Sequence, residues 1–468
     1  MMIDWQSKAN EQKDEYLNDL TSLIKIPSVR DDSQATDEFP LGPKPAQALN
    51  AFLEMAQQDG FKTKNIDNLV GYAECGDGDE TLAILAHVDV MPAGEGWDTD
   101  PFDPVIKDGN IYGRGASDDK GPGLAAYYAL KTLKAMGVKF NKKIRMIFGT
   151  DEESNWTGMK RYFEVEPEPT YGFSPDASFP LINGEKGNVS LQVNFGGNTK
   201  GDYILRSFDA GIRPNMVPFK AVAKIETAEG KQLARDFGEY LLSQPVSGTA
   251  TLQDDGVELE LIGKAAHGME PEKGLNAGTF LAAFLSQYEF TESAHDFLTL
   301  LGTKLHLDTR LNNLNMNFKD DVMGELTVNV GMMNFNADDG GTIDLNFRYP
   351  KGLNADKLTS ELSEAISPMS ATVTHGDAME PHYVSPDDPI VTTLMNAYQE
   401  QTGDSDSKPE VVGGGTYGRM MKRGVAFGAL FPDTPNTMHQ VNEYQPVDQL
   451  ILSIAIYMQA IYDLTVTE

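Results

Sequence analysis

Apolar and polar positions in the first part of the chain form short buried runs that alternate with amphipathic stretches. Residues 81–87 and 143–148 are apolar runs of strand length. Residues 46–60 and 123–136 instead repeat their apolar side chains every three or four positions, which is typical of helices. Strands that alternate with helices predict an α/β fold, a mostly parallel sheet with flanking helices, whose sites lie beyond the carboxyl ends of the strands.

The pattern changes in the middle of the chain. Residues 189–195 and 256–262 alternate apolar and polar positions as half-buried strands do, and helical spacing recurs at 229–242 and 278–286. The earlier helical pattern resumes at 390–401 and ends with 447–462. We therefore predict one domain formed by 1–186 and 383–468, and an inserted α+β domain at 187–382 that is large enough to fold as a domain of its own.

Charge and cysteine content narrow the expected partners. The chain has 70 acidic and 38 basic residues, a formal net charge of -32, which repels phosphate backbones and anionic lipid surfaces. The charged N-terminal segment lacks the apolar core of a signal peptide, no run of about 18 apolar residues predicts a membrane span, and Cys75 is the only cysteine. We expect a soluble cytoplasmic protein, with no nucleic acid and no membrane partner.

Side chains of the metal-binding type follow several predicted strands. His87 ends the run 81–87, and Asp89 follows on the same side of an extended chain. Taken singly, such a histidine or an acidic loop is more often structural. The set as a whole points to metal, because imidazole and carboxylate suit zinc and similar ions, and a carboxylate can bridge two metals about 3.5–4 Å apart. The candidate ligands are His87, Asp118, Glu153, Asp176 and His439, with Asp89 and Glu152 beside two of them.

A metal pair of this kind supports hydrolysis. It lowers the pKa of a bridging water and polarises a carbonyl, while a carboxylate that binds no metal passes the proton of the water to the leaving amine. Of the adjacent acids, we expect only one to point at the metals, which leaves Glu152 as the general base. Asp89 is expected to hydrogen-bond the second ring nitrogen of His87. No G-x-S-x-G motif occurs, and Cys75 has no suggestive context, so a serine or cysteine nucleophile is not favoured.

Seven motifs carry a family resemblance over essentially the whole chain. They are HVDVMPAGEGWDTDPF, GRGASDDKGP, GTDEESNWTGMKRYF, SPDASFP, KAAHGMEPEKGLNA, GGGTYGR and MHQVNEY. The chain resembles the M20 family of metallopeptidases and, within it, the bacterial dipeptidases of the PepV type, which are similar to carnosinases. The resemblance implies a zinc-peptidase-like catalytic domain and an inserted lid domain.

The resemblance also implies a centre of two Zn²⁺ ions per chain, for which Mn²⁺ or Co²⁺ can substitute. His87 and Asp176 would bind one ion, Glu153 and His439 the other, and Asp118 would bridge them. Glu152 matches the general base and Asp89 the orienting acid. The peptide bond between Asp118 and Asp119 is expected to be cis.

The inserted domain contributes further implied site residues. His267 matches a lid histidine that stabilises the tetrahedral oxyanion. Asn215 and Arg348 resemble lid residues that contact the carbonyl and the C-terminal carboxylate of the substrate, although an asparagine before Met-Val-Pro also suits a turn and Arg348 also suits an exposed surface. From the catalytic domain, Gly415 is expected to offer backbone contacts and Asp119 to hold the free amine of the substrate.

We expect a dipeptidase that hydrolyses short unblocked L-dipeptides, with β-alanyl dipeptides among the candidates. The alternative is a related amidohydrolase of the same family, an N-acyl amino acid deacylase or an aminotripeptidase. A non-catalytic binding protein of this fold is disfavoured, because every expected ligand and Glu152 are present. The lid has about twice the size found in dimeric members, which implies a monomer whose lid completes its own site.

Overall fold

The computed structural model describes residues 3–466, which divide into two compact units. Within the described residues, unit 1 consists of 3–184, 383–410 and 415–466, and unit 2 of 185–382 and 411–414. The divisions after 184 and 382 lie within two residues of the predicted domain boundaries. The short segment 411–414, which we expected in the first domain, belongs to unit 2.

The α-helices, in chain order, are α1 (Trp5–Asn10), α2 (Lys13–Ile24), α3 (Pro43–Gln58), α4 (Lys120–Ala135), α5 (Thr157–Val165), α6 (Gly230–Leu242), α7 (Ala277–Leu285), α8 (Glu292–Thr299), α9 (Ala355–Ala365), α10 (Pro389–Thr402) and α11 (Val447–Thr465). Short 3₁₀ turns occur at Asp32–Gln34, Pro271–Lys273, Asn312–Leu314 and Tyr417–Met420, and a π-helical turn at Leu300–Leu305.

The strands are β1 (Lys62–Ile66), β2 (Val70–Cys75), β3 (Thr81–His87), β4 (Val105–Lys107), β5 (Asn110–Tyr112), β6 (Lys143–Gly149), β7 (Tyr171–Ser174), β8 (Ala177–Ser178), β9 (Ile182–Glu185), β10 (Gly187–Phe195), β11 (Ile204–Ala210), β12 (Lys220–Glu226), β13 (Ser247–Gln253), β14 (Gly256–Ile262), β15 (Lys319–Asp320), β16 (Gly324–Glu325), β17 (Thr327–Asn336), β18 (Gly340–Tyr349), β19 (Ala371–Met379), β20 (His382–Tyr383), β21 (Glu410–Val412), β22 (Gly424–Ala426), β23 (Ala429–Leu430) and β24 (Tyr444–Pro446).

The main sheet of unit 1 has a parallel centre and antiparallel flanks. Seven of its nine strands lie in the order β1-β2-β6-β3-β7-β22-β9. The pairs β6/β3, β3/β7 and β7/β22 are parallel, whereas β1, β2 and β9 pair antiparallel. Every residue of β3 after Thr81 is buried, as expected of a strand covered by helices on both faces.

Helices α4 and α11 pack together in the core of unit 1. Helix α4 begins at Lys120, three residues before the predicted start, so Asp119 occupies its N-cap position. Among the described residues, α11 is long and apolar enough to cross a membrane, but 72% of its most apolar stretch is buried inside the protein. Such burial is characteristic of a core helix rather than of a membrane span.

Unit 2 is built on one antiparallel sheet in the order β13-β14-β12-β11-β17-β18-β10-β19. Its inner face packs against helices that include α6, α7 and α8, and this core includes Leu233, Phe237, Phe280, Phe284 and Phe297. Strands and helices of both units therefore confirm the predicted class, an α/β fold with a further α+β unit.

Candidate metal centre

The carboxyl ends of three parallel strands bring the candidate ligands of unit 1 together. β6, β3 and β7 are neighbours, and His87, the last residue of β3, pairs with Gly149 at the end of β6. Glu152 and Glu153 follow β6, and Asp176 follows β7. The sequence pattern therefore predicted the correct edge of the sheet.

His87 is held so that one ring nitrogen faces the acids. Its Nδ1 lies 3.0 Å from the backbone carbonyl oxygen of Asp89, to which it donates. Its Nε2 lies 3.0 Å from Asp118 Oδ1 and 3.5 Å from Asp176 Oδ2. The carboxylate Oδ1 of Asp89 lies 3.4 Å from the same Nδ1, so Asp89 faces the second ring nitrogen of His87 as expected, with its carbonyl as the nearer acceptor.

The second histidine approaches the same aspartate from the other side. His439 Nε2 lies 2.8 Å from Asp118 Oδ2 and 3.0 Å from Glu153 Oε2. His439 adopts a left-handed conformation, φ +63°, in the loop before β24. Because the two oxygens of Asp118 face different imidazoles, this carboxylate has the position of a bridging ligand.

Both members of the acidic pair reach the cluster. Ligand atoms of His87, Glu152 and Asp176 lie within 4.8 Å of one another, and so do those of Asp118, Glu153 and His439. Our expectation that only one of the adjacent acids points inward is wrong, since these residues lie in a turn rather than in an alternating strand.

The carboxylate of Asp89 shapes this turn. Its Oδ1 accepts the backbone N–H of Glu152 at 3.1 Å, and its Oδ2 accepts that of Glu153 at 3.2 Å. Asp89 is 2% exposed, so the contact is shielded from water. The residue therefore positions both acids as well as His87.

The donor set fits divalent cations. Among the described residues, two imidazoles face the four carboxylates of Asp118, Glu152, Glu153 and Asp176, and Glu153 Oε1 is a buried oxygen with no hydrogen-bond partner. Buried carboxylates in such excess require positive charge nearby. Imidazole nitrogen and carboxylate oxygen are the ligands of zinc sites of this type, and the two groups can hold a pair of ions.

The close packing of buried acids and histidines shifts their pKa values. Burial, with Asp176 nearby, raises the pKa of Glu152 well above its usual value, and burial with Asp118 nearby raises that of Glu153 to about 7. Burial alone lowers the pKa of His439, but hydrogen bonds to Asp118 and Glu153 outweigh it and raise the pKa to about 11. Without metal this shift favours a protonated His439 ring, whose proton a metal must displace.

Asp119 lies behind His87. The peptide bond between Asp118 and Asp119 is cis, as the resemblance implied. Asp119 is fully buried, and its Oδ2 accepts the backbone N–H of His87 at 3.1 Å. This position does not fit the expected contact with a substrate amine, because the carboxylate offers no open surface and supports the end of β3 instead.

Two lid candidates lie side by side in unit 2. Met216, next to Asn215, forms a β-bridge with His267, and Gly268 N–H donates to the carbonyl of Asn215 at 2.8 Å. Asn215 and His267 both lie at least partly open to solvent. Met269 N–H donates to His267 Nδ1 at 3.1 Å, so the neutral ring carries its proton on Nε2.

The remaining candidates come from other segments of the chain. Arg348, on β18, is 6% exposed, and its Nη1 donates to the carbonyl of Gly413 at 2.8 Å. It is therefore not the surface cation that the sequence left open. Gly415 lies in unit 1, immediately before Thr416, whose hydroxyl caps the 3₁₀ turn Tyr417–Met420.

Sequence reasoning missed two buried groups at the centre. Glu443 is fully buried and binds the loop that carries Asp118. Tyr417 packs edge-on against His87, with ring centroids 6.4 Å apart, and its buried hydroxyl has no hydrogen-bond partner among the described residues. Both residues fall within quoted motifs, but only an observed contact distinguishes them from their neighbours there.

Comparison with known proteins assigns the family. Residues 83–463 match the sequence profile of peptidase family M20/M25/M40. The chain belongs to this family. The predictions of the family and of a metallopeptidase fold are thereby confirmed, and the matched region contains all the candidate ligands.

Relatives of this M20 chain include proteins of similar length. The "Putative dipeptidase SH1171" of Staphylococcus haemolyticus is 43% identical over 467 residues, which cover 99% of each chain. Among solved structures, human carnosine dipeptidase 1 has a TM-score of 0.55 at 16% identity and the dipeptidase Dug1p of Saccharomyces cerevisiae 0.56 at 17%, each alignment covering 98% of both chains. At such low identity these structures show the shared fold alone.

Proposed function

We propose that this M20 enzyme is a dipeptidase that hydrolyses short unblocked L-dipeptides with two Zn²⁺ ions. The observation that carries the proposal is the position of Asp118, whose two oxygens face His87 and His439 at 3.0 and 2.8 Å. The name of the Staphylococcus haemolyticus relative, at 43% identity over nearly the whole chain, supports the substrate class.

The residues fall into two ligand sets around Asp118. His87 and Asp176 would hold one ion, and Glu153 and His439 the other; Mn²⁺ or Co²⁺ suits the same donors. When bound, the ions supply an activated water and polarise the scissile carbonyl. The carbonyl of Asp89 keeps the proton of His87 on Nδ1, which leaves Nε2 to face the ion.

Glu152 is the group proposed to move protons. It lies in the group with His87 and Asp176, but the ligand sets above are complete without it. Burial and Asp176 raise the pKa of Glu152, which suits a carboxylate that takes a proton from water and returns it to the leaving amine.

Residues of unit 2 are proposed to bind the substrate. His267 carries its proton on Nε2 and is thus a donor suited to a developing oxyanion. Asn215 lies next to it, with a side chain that suits a contact with the substrate carbonyl. Arg348 is proposed to bind the terminal carboxylate of the substrate, and Gly415, in unit 1, to offer backbone contacts.

The deciding experiment compares substrates after chelation and readdition of single metals. We expect hydrolysis of unblocked dipeptides, among them β-alanyl ones, to be restored by Zn²⁺. N-acetylated amino acids and tripeptides are the matched comparison. The first lack the free amine of a dipeptide, and the second are one residue longer. Turnover of either class without turnover of dipeptides would replace the proposal with a deacylase or an aminotripeptidase.

Oligomeric state and location form a separate proposal. We propose a cytoplasmic monomer, for which the size of unit 2, with its eight-stranded sheet, and the single cysteine of the sequence give support. Sedimentation equilibrium should give the mass of one chain, 51.3 kDa. A dimer that loses activity on dilution would contradict this proposal.

A further inference from the structure

Glu443 makes an unusually complete set of contacts for a buried carboxylate. It is fully buried, and its Oε1 accepts three backbone N–H groups, from Gly115 at 3.1 Å, Ser117 at 2.8 Å and Asp118 at 3.1 Å. Its Oε2 accepts Arg114 Nη1 at 2.6 Å. Both oxygens therefore bind the single loop that precedes α4.

The backbone amides converge because this loop is tightly curled. Gly115 has a φ of +93°, a conformation that favours glycine, and N–H groups in such turns point together towards one anion. A Cβ at this position would meet Val90 Cγ1 at 3.0 Å, so the loop is also packed from behind. The carboxylate of Glu443 fills the concave side of the turn.

The segment that carries Glu443 also carries His439. Thr437 Oγ1 donates to the carbonyl of Tyr444 and accepts the N–H of Tyr444, each at 3.2 Å, which closes the loop between them. Tyr444 pairs with Tyr112 in the adjoining strands, and Gly113 N–H donates to the carbonyl of Glu443 at 3.0 Å. One short segment therefore contacts Asp118 twice. The imidazole of His439 faces the carboxylate of Asp118, and the carboxylate of Glu443 accepts the backbone N–H of Asp118.

We propose that Glu443 is a positioning residue that fixes Asp118 between His87 and His439 and so sets the affinity of both metal ions. Its carboxylate holds the N–H of Asp118 itself, and a shift of that backbone would move both oxygens of Asp118 relative to both histidines. The inference rests on the proposed metal-binding function, and it assigns no chemical step to Glu443.

A purely structural ion pair with Arg114 is the competing explanation. Breaking a buried pair destabilises a fold without any special effect on metal. The three backbone N–H groups on Oε1 favour the positioning role over the purely structural one. They connect Glu443 to the loop that carries Asp118 whether or not Arg114 is present. The test must therefore separate folding stability from metal affinity.

The test compares Glu443→Gln with Ser117→Ala. The amide of Glu443→Gln would keep the shape of the carboxylate but turn an NH₂ group towards Arg114 or the backbone amides. Ser117→Ala instead removes a buried contact of the same loop, Ser117 Oγ to Gln445 Oε1 at 3.1 Å, and leaves the carboxylate in place. Zn²⁺ affinity is measured by competition with a chelator, without substrate, and thermal unfolding is followed on the metal-free proteins.

We expect Glu443→Gln to weaken Zn²⁺ binding at both sites by about 10–100-fold, the usual effect of losing a group that orients a ligand. Ser117→Ala should keep a Zn²⁺ affinity within about threefold of the native value. Its lost hydrogen bond should only lower the thermal stability of the metal-free protein. If Glu443→Gln does not fold, Glu443→Asp, which keeps the charge but withdraws it from the amides, is expected to weaken both sites in the same way.

Native Zn²⁺ affinity in a folded Glu443 variant overturns the inference. Its failure is distinguishable from failure of the proposed function, because zinc binding is measured without substrate. A native protein that binds Zn²⁺ but hydrolyses no dipeptide would refute the dipeptidase proposal alone. Where activity is present, kcat/KM of Glu443→Gln should fall at limiting Zn²⁺ and recover in excess Zn²⁺. This is measured at a temperature at which the metal-free variant is folded, because Zn²⁺ would also rescue a partly unfolded chain.

Discussion

His439 Nε2 lies 2.8 Å from Asp118 Oδ2, although the two residues belong to loops far apart in the sequence. The other oxygen of Asp118 lies 3.0 Å from His87 Nε2. One carboxylate therefore separates two imidazoles, which is the arrangement needed for two cations that share a ligand.

Replacing Asp118 should affect both metal sites together. We expect Asp118→Asn to lower Zn²⁺ affinity at each site by more than about 100-fold, because a shared ligand is lost and the amide carries no charge. Asp176→Asn, the matched variant, should weaken one site only, since Asp176 approaches His87 and belongs to its ligand group. Chelator competition with one and then two equivalents of Zn²⁺ measures this, and equal loss at both sites in Asp176→Asn would contradict it.

Metal binding should release protons. Burial opposes a charge on either ring, but the neighbouring acids outweigh it: the pKa of His439 rises to about 11 and that of His87 well above its usual value. Both shifts favour the protonated ring in the absence of metal. Zn²⁺ binds the neutral ring, so protons should leave on binding, and Zn²⁺ affinity should fall as the pH is lowered.

Calorimetry in two buffers of different ionisation enthalpy counts these protons. His439→Asn is the control and should release fewer protons than the native chain at the same pH. Heats of binding that are independent of the buffer at pH 7 would contradict the protonated state of the two rings.

Removing the carboxylate of Glu152 should separate chemistry from metal binding. We expect Glu152→Gln to lower kcat by at least about 10²–10⁴-fold, the usual contribution of general acid–base catalysis, while both Zn²⁺ ions stay bound. Metal analysis of the purified variant and steady-state kinetics on a dipeptide measure the two effects. Loss of one ion from the variant would instead make Glu152 a ligand, which its position in the group with His87 and Asp176 also permits.

A buried asparagine in unit 2 should hold the loop that carries Asn215 in place by hydrogen bonds. Asn329 is 1% exposed, and its Nδ2 donates to the carbonyls of Pro214 at 2.7 Å and Met216 at 2.9 Å. Asn329→Leu leaves both carbonyls without this donor and should lower the free energy of unfolding by about 1–3 kcal/mol. Because the same loop bridges to His267, kcat should also fall, with Zn²⁺ affinity unchanged.

Asn334→Ala is the control for this variant. Asn334 lies on the same strand, β17, but is exposed, and its Nδ2 donates only to Thr342 Oγ1 among the contacts described, at 2.7 Å. Chemical denaturation and kinetics should therefore find it close to the native protein. Equal effects of the two substitutions would show that the buried contact to the loop has no special role.

The sequence alone determined the parts that depend on local patterns. Apolar runs of strand length and apolar residues at helical spacing predicted β3, β6 and the helices around them to within a few residues, because burial imposes a period of two on strands and 3.6 on helices. A ligand at the end of a strand was predictable for the same reason. His87 ends β3, and Glu153 and Asp176 lie shortly after the ends of β6 and β7, whereas the order of these strands came from the structure alone.

Only the tertiary structure decided what depends on contacts between distant segments. The carbonyl of Asp89 orients His87, the carboxylate of Asp89 holds the amides of Glu152 and Glu153, and Asp119 is buried behind β3 rather than open to a substrate. Glu443 shows the same limit, since nothing in MHQVNEY says which loop its side chain binds. Local patterns report the burial of a residue and its secondary structure, whereas the partner of a polar side chain is chosen by the packing of the whole fold.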